Sequence, residues 1–100
     1  MSKVYILNNG GHDYSAAQEF GSLVICTEGA VDKKDTSQMF RLLSDALEYA
    51  QETDYILITS LTSLCCIAVG IMADRFGKVN LLIYEGGKYL PRTIVFSIVE

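Results

Sequence analysis

Residues 55–73 read YILITSLTSLCCIAVGIMA and carry no charge over nineteen positions. A segment this apolar must be removed from water, because exposed apolar surface is unfavourable. One possibility is a single membrane-crossing helix, which takes about 20 apolar residues. The other is a short buried strand, a bend and a buried helix.

The distribution of residue types along this segment favours the strand and helix. Residues 55–59 are rich in β-branched and aromatic side chains, which suit strands, whereas residues 65–73 include the small and unbranched types that suit a buried helix. Residues 59–63, TSLTS, carry four hydroxyls in five positions, and hydroxyls favour helix N-caps over helix interiors. No tryptophan and no basic cluster marks a membrane boundary. We therefore expect a break at the hydroxyl cluster and no membrane span.

The flanking sequence alternates between strand and helix signals. Apolar runs predict strands at residues 3–8, 23–27 and 79–84. An amphipathic helix is predicted from Thr36, with the apolar positions Met39, Leu42, Leu43, Ala46, Leu47 and Ala50. Ser15 and Gln18 form a capping-box pattern that predicts a short helix ending at Gly21. The EGGK sequence at residues 85–88 predicts a hairpin turn, followed by an antiparallel strand at residues 92–99 in which Pro91 marks an edge or a bulge.

These elements predict a fold of the α/β class in a single domain spanning residues 1–100. The expected architecture is a small three-layer Rossmann-like domain with a mainly parallel sheet of order 2-1-3-4 and an antiparallel C-terminal hairpin. In a sheet of this order the loops after the first and third strands part at their carboxyl ends. The crevice between them is the predicted functional site.

Composition excludes some partners and suggests others. The net charge of −4 and the sequence pI of about 4.8 argue against binding to duplex nucleic acid, which needs many basic contacts to phosphate. Half of the residues are hydrophobic, which predicts a self-association surface and a homodimer. Cys26, Cys65 and Cys66 lie in apolar runs without metal-binding spacing, so they are expected to be small buried hydrophobes in a reducing compartment. With no signal peptide recognised, the expected location is the cytoplasm.

Two loops are predicted to form the site, and both lead into helix N-termini, which favour anions such as phosphate. Neither loop contains lysine or arginine, and neither matches a known phosphate-binding motif. The turns after the second and fourth strands add one glutamate each, which can accept hydrogen bonds from a ribose or a base. The candidate ligand-binding residues are Asn8, Asn9, Gly10, Gly11, His12, Asp13, Ser15, Thr59, Ser60, Thr62, Ser63, Glu28 and Glu85.

His12 is the sole histidine and the sole candidate for acid–base catalysis, with Asp13 available to orient it. The favoured interpretation of His12 is nevertheless a polar loop residue, whereas Ser60, Thr62 and Ser63 are equally compatible with binding a ligand and with capping the helix. No nucleophile motif is present, and one histidine with scattered carboxylates does not form a metal site. No cofactor is predicted.

The unit at residues 56–69, ILITSLTSLCCIAV, resembles the signature half of the CRISPR-associated Rossmann-fold (CARF) sensor domains, and the NNGGH loop at residues 8–12 resembles their other ligand-binding loop. The chain also resembles small bacteriophage proteins with a Gly-His-Asp-Tyr-Ser-like loop after the first strand. The resemblance implies a homodimer that binds a cyclic or linear nucleotide across its two-fold axis. CARF domains usually carry a glycine-rich loop with a basic residue where this chain has residues 59–63.

Three functions are consistent with these features. The favoured one is non-enzymatic binding of a nucleotide-derived small molecule, such as a cyclic nucleotide immune signal that a phage protein sequesters. The second is an enzyme that degrades such a signal with His12 as acid or base. The third is a protein-interaction or structural module that pairs through its exposed last strand.

Overall fold

A computed structural model describes residues 2–96 of the chain. In chain order the elements are β1 (Lys3–Ile6), a 3-10 helix (Ser15–Phe20), β2 (Ser22–Ile25), α1 (Thr36–Ala46), β3 (Tyr55–Leu57), α2 (Thr62–Phe76), β4 (Lys78–Glu85) and β5 (Lys88–Val95). The predicted last strand extends to residue 99, and its final residues 97–99 lie outside the described part.

The strands form one mixed sheet of order β2-β1-β3-β4-β5. The pairs β1–β2, β1–β3 and β3–β4 are parallel, and β4–β5 is an antiparallel hairpin. The predicted strand order and the antiparallel hairpin are therefore confirmed. Since β1 lies between β2 and β3, the winding direction of the sheet reverses at the β1–β3 pair, as the prediction of a crevice requires.

The uncharged segment is broken where the hydroxyls cluster. β3 ends at Leu57 and α2 begins at Thr62, with the bend stabilised by a hydrogen bond from the Leu61 amide to Thr59 Oγ1 at 3.2 Å. The N-cap position is Leu61, which makes no side-chain capping bond, so the expected hydroxyl N-cap is wrong although the break is right. Within residues 2–96 no helix is long and apolar enough to cross a membrane.

The two faces of the sheet are covered unequally. On the first, which we call the helix face, α1 and α2 pack over Tyr5, Leu7 and Ile56, and the Arg75 side chain at the end of α2 donates to the Leu47 carbonyl after α1. On the second face, Val4, Ile6, Leu57 and Leu82 pack against Ala17 of the 3-10 helix. The second face thus carries a single 3-10 helix of six residues, and a full three-layer Rossmann-like arrangement is not confirmed.

The 3-10 helix differs from the predicted α-helix in its capping. The Ser15 amide donates to Asp13 Oδ1 at 2.9 Å, no side chain caps the N-terminus, and the expected Ser15–Gln18 capping box is therefore wrong. The Gly21 amide donates to the Gln18 carbonyl, three residues back, which is the 3-10 pattern. A six-residue segment is too short to offset the cost of nucleating an α-helix.

Other turn signals in the sequence are realised in the structure. Gly77 ends α2 in the left-handed conformation with φ of 69°, as predicted. Gly86 and Gly87 have φ of 60° and 82° in the predicted hairpin turn, and Glu85 pairs with Lys88. Pro91 lies in the edge strand β5, as expected, opposite Leu82. The Leu82 carbonyl accepts from the Ile58 amide on the β3 side, so this antiparallel pair is not hydrogen-bonded and the Pro91 nitrogen faces outward.

Asp54 is a buried structural residue that the sequence interpretation did not single out. Its side chain is 3% exposed and accepts two backbone hydrogen bonds, from the Lys3 amide at 2.9 Å and from the Gln51 amide at 2.8 Å. A carboxylate with two backbone donors joins the start of the central strand β1 to the turn before β3. Bonds of this kind are stronger than those between neutral groups.

Replacing Asp54 with asparagine should destabilise the protein by about 2 kcal/mol, because one of the two amides then faces an NH₂ group instead of an oxygen. The free energy of unfolding in urea measures this effect. The matched control is Asp74→Asn, a change at an exposed position in α2, which should stay within about 0.5 kcal/mol of the parent protein. Equal losses in the two variants would contradict the assigned role of Asp54.

Two glycine substitutions should have opposite effects on stability. A Cβ at Gly21 would lie 2.2 Å from the Ser2 carbonyl oxygen, so Gly21→Ala should cost about 3 kcal/mol. A Cβ at Gly70 in α2 meets nothing within 4 Å, so Gly70→Ala should stabilise the helix by about 1 kcal/mol. Thermal unfolding of both variants checks the signs, and destabilisation by Gly70→Ala would show that the surface around it is packed.

Candidate functional site

A cleft of about 660 Å³ lies at the carboxyl ends of β1 and β3, where the crevice was predicted. It is bounded by the loop after β1, the loop after β3 and the end of the β4–β5 hairpin. Its lining residues are Asn8, Gly10, His12, Asp13, Tyr14, Leu57, Ile58, Thr59, Ser60, Leu61, Tyr84 and Tyr89.

The loop after β1 is fixed at its base by bonds to the end of β2. The Asn9 amide donates to the Thr27 carbonyl at 2.9 Å, and the Thr27 hydroxyl donates to the Leu7 carbonyl at 2.7 Å. The same hydroxyl oxygen is 3.1 Å from Asn8 Oδ1. Thr27 is buried, so these contacts are shielded from water and hold the Asn8 side chain at one end of the cleft.

The buried thiol of Cys65 contacts the backbone of the loop after β3 and holds it in place. Cys65 Sγ lies 3.4 Å from the Thr59 amide nitrogen and 3.5 Å from the Thr59 carbonyl oxygen. The Ile58 amide donates to the Leu82 carbonyl at 3.0 Å, which extends the β3–β4 pairing by one bond. Because both ends of this loop are held, Thr59 and Ser60 have defined positions at the edge of the cleft.

Three tyrosines complete the cleft. Tyr14 and Tyr84 lie in segments that were expected to border the crevice, but no tyrosine was named as a candidate ligand-binding residue. Tyr84 and Tyr89 are paired directly across the hairpin, with ring centroids 5.2 Å apart and an interplanar angle of 63°. The Tyr14 ring meets the His12 ring edge-on, with ring centroids 6.1 Å apart. The available signal was the position of Tyr84 and Tyr89 just outside the predicted EGGK turn, where residues pair across a hairpin and lie on the same face.

The ionisable groups of the cleft make it acidic and rich in hydroxyl donors. Hydrogen bonds from Ser15 hold the pKa of Asp13 below its ordinary value, so Asp13 is a carboxylate at neutral pH. Burial raises the pKa of Tyr89, and the neighbouring Tyr14, Tyr84 and Asp13 raise it further, so its phenol stays protonated. None of the lining residues is a lysine or an arginine.

Six of the candidate residues come together in the cleft, namely Asn8, Gly10, His12, Asp13, Thr59 and Ser60. Asn9 and Gly11 belong to the same loop but do not line the cleft, and Ser15 begins the 3-10 helix. Thr62 and Ser63 line a separate cavity of about 150 Å³ together with Lys33. Glu28 forms a backbone β-bridge with Asn9, and Glu85 ends β4 beside the hairpin turn; both are exposed and outside the cleft lining.

His12 lies in the cleft, but its surroundings differ from the expected acid–base pair. The Asp13 carboxylate is bonded to the Ser15 amide, and the His12 ring contacts Tyr14. Within residues 2–96 no group of three or more histidine, cysteine, aspartate or glutamate side chains is placed to hold a metal ion.

The three cysteines have different environments. Cys65 is buried, as expected, whereas Cys26 is half-buried, and burial raises the pKa of its thiol to about 12. Cys66 points away from the core and is exposed, so the expectation that all three are buried is wrong for this residue. On a helix, successive residues point about 100° apart, which is why adjacent cysteines separate.

A thiol reagent such as DTNB at pH 8 should therefore modify one cysteine of the native protein, Cys66. Cys26 should react more than about a hundredfold more slowly, because its thiolate is scarce at that pH and its side chain is shielded. Counting the released chromophore before and after adding urea measures this. In Cys66→Ser the fast reaction should vanish, and fast release of two or more equivalents from the native parent protein would contradict the assignment.

Comparison of the chain with models of known protein families finds a match to one family. A family model described as phage Pam3 gp32-like protein matches residues 2–95. No curated protein and no solved structure matches the chain significantly.

Proposed function

The chain belongs to the phage Pam3 gp32-like protein family, and we propose that it is a non-enzymatic phage protein that captures a nucleotide-derived small molecule in the cleft. The observation that carries this proposal is the cleft itself. It lies at the switch point of a mainly parallel sheet, the usual place for ligands in such sheets, and its volume of about 660 Å³ suits a small organic molecule.

The lining offers the groups that nucleotide ligands need. Tyr14, Tyr84 and Tyr89 provide aromatic surface for a base, and Asn8, Thr59 and Ser60 provide hydrogen-bonding groups for a base edge or a ribose. The loop after β3 lines the cleft with Thr59, Ser60 and Leu61, immediately before α2 begins. These features support a nucleotide-like ligand over a purely apolar one.

The proposal includes cyclic nucleotide signals, which are the ligands implied by the resemblance to CARF domains. A phage protein that sequestered such a signal in the host cytoplasm would act against host defence. We also propose that the protein forms a homodimer. Exposed apolar side chains on the described surface support this, such as Phe40 at 53%, Phe96 at 46% and Ile94 at 41% exposure.

A degrading enzyme is the alternative that His12 supports, because this residue lines the cleft. The hydrogen bond of the neighbouring Asp13 carboxylate favours binding without catalysis. Asp13 accepts from the Ser15 amide and is therefore not positioned by a bond to His12. An interaction module that adds a strand at the β5 edge is supported less, because Pro91 removes a backbone donor from the outward-facing side.

Calorimetry with mononucleotides, ADP-ribose derivatives and cyclic oligonucleotides tests the proposal, and we expect saturable binding by at least one of them. Gly10→Leu should weaken this binding at least about tenfold by filling the cleft. A Cβ at Gly10 would lie 3.4 Å from His12 Cδ2 and 3.8 Å from the Tyr14 hydroxyl, and its backbone conformation accepts a side chain. The matched control is Gly70→Leu, on an exposed position of α2 outside the cleft, which should bind like the parent protein.

Chromatography of the ligand after incubation and denaturation separates binding from cleavage. Recovery of intact ligand supports the proposal. Cleaved ligand would favour the enzyme, and cleavage that disappeared in His12→Ala would identify the group responsible. No binding to any ligand of the panel would refute the proposal.

A further inference from the structure

Resting on the proposed function, we infer that the cleft recognises its ligand by the base, an aromatic ring packed against Tyr84 and Tyr89, while the phosphates remain in solvent. The inference concerns which chemical part of a nucleotide the protein binds.

The hairpin supplies an aromatic pair at the edge of the cleft. Tyr89 is partly buried and packs against the core of the second face, whereas Tyr84 is 60% exposed. Their rings are in edge-to-face contact, with ring centroids 5.2 Å apart. Tyrosine has few rotatable bonds, so an exposed ring held in this way loses little entropy when a base stacks on it.

Charge argues against phosphate inside the cleft. Binding sites for phosphate groups rely on lysine or arginine, and none of the twelve lining residues is either. The ionised Asp13 carboxylate, in contrast, would repel a phosphate held nearby. The phenol of Tyr89 remains a neutral hydroxyl, so the tyrosine end stays compatible with an uncharged ring.

The rest of the lining suits an uncharged ring and sugar. Leu57, Ile58 and Leu61 supply apolar surface, and the Thr59 and Ser60 hydroxyls lie beside it. A base is flat and apolar on its faces and polar at its edges, so these groups are complementary to it. Such a site holds the base and leaves a charged tail in water, where its solvation is not lost.

The experiment compares binding by calorimetry along matched series, each running from a nucleoside to its 5′-mono-, di- and triphosphate. At constant ionic strength we expect the dissociation constant of the preferred base to change less than about threefold along its series. We also expect little change between low and high salt, because few ionic contacts are made. The cyclic dinucleotide containing that base should bind with its nucleoside as a competitor.

Tyrosine variants test the ring contact. Tyr84→Ala should weaken nucleoside binding about tenfold to a hundredfold, the range found when a stacking aromatic is removed. Tyr84→Phe keeps the ring and should stay within about threefold. The control is Tyr49→Ala, at a residue 76% exposed and outside the cleft lining, which should bind normally. Circular dichroism and thermal unfolding show whether each variant is folded, and the Tyr84→Phe result remains informative if Tyr84→Ala is not.

The outcomes distinguish this inference from the proposed function. Affinity that rises tenfold or more with added phosphates, or a cyclic dinucleotide that binds while its nucleoside does not, overturns the inference and leaves the proposed function standing. Unchanged binding by folded Tyr84→Ala, or a loss in Tyr84→Phe as large as in Tyr84→Ala, also overturns it. Absence of binding by every nucleoside, nucleotide and cyclic dinucleotide overturns both.

Discussion

The turn at Thr59 is the constraint on which the arrangement of this protein depends. Its side chain accepts a hydrogen bond from the Leu61 amide, and Cys65 Sγ contacts its backbone from below. This turn divides an uncharged segment into a strand in the centre of the sheet and a helix on the helix face. The Thr59 hydroxyl and the buried Cys65 thiol therefore mark the point at which the uncharged segment changes from a strand to a helix.

The unequal covering of the two sheet faces explains why the cleft exists. Two α-helices cover the helix face, whereas the second face has a 3-10 helix of six residues. The short helix leaves the end of the β4–β5 hairpin uncovered, and Tyr84 and Tyr89 project there beside the loops after β1 and β3. The cleft thus lies beside a second layer of only six helical residues.

The sequence was sufficient to predict the sheet order and the region of the cleft, because both follow from element order and from the parallel connections. It failed where the outcome depended on which of several neighbouring groups forms a bond or packs inward, and where the partner is distant in sequence. The Ser15–Gln18 pattern does not form a capping box because Asp13 takes the Ser15 amide, and Cys66 is exposed because its neighbour Cys65 takes the inward position. Asp54 was not recognised, since its partner Lys3 is 51 residues away. Tyr84 was not named as a site residue, because an aromatic residue in a strand normally indicates core packing.

The pairing of β1 with β3 also governs when the protein can fold during its synthesis. Val4 pairs with Tyr55, so the β1–β3 pair cannot form until residue 55 has left the ribosome. Contacts this distant in sequence form late, because closing a long loop costs entropy before any pairing compensates for it. Tyr89 is synthesised later still, so the tyrosine side of the cleft is added after the central strands have been made. A nascent chain that stopped before the hairpin would contain the central strands and would lack Tyr84 and Tyr89.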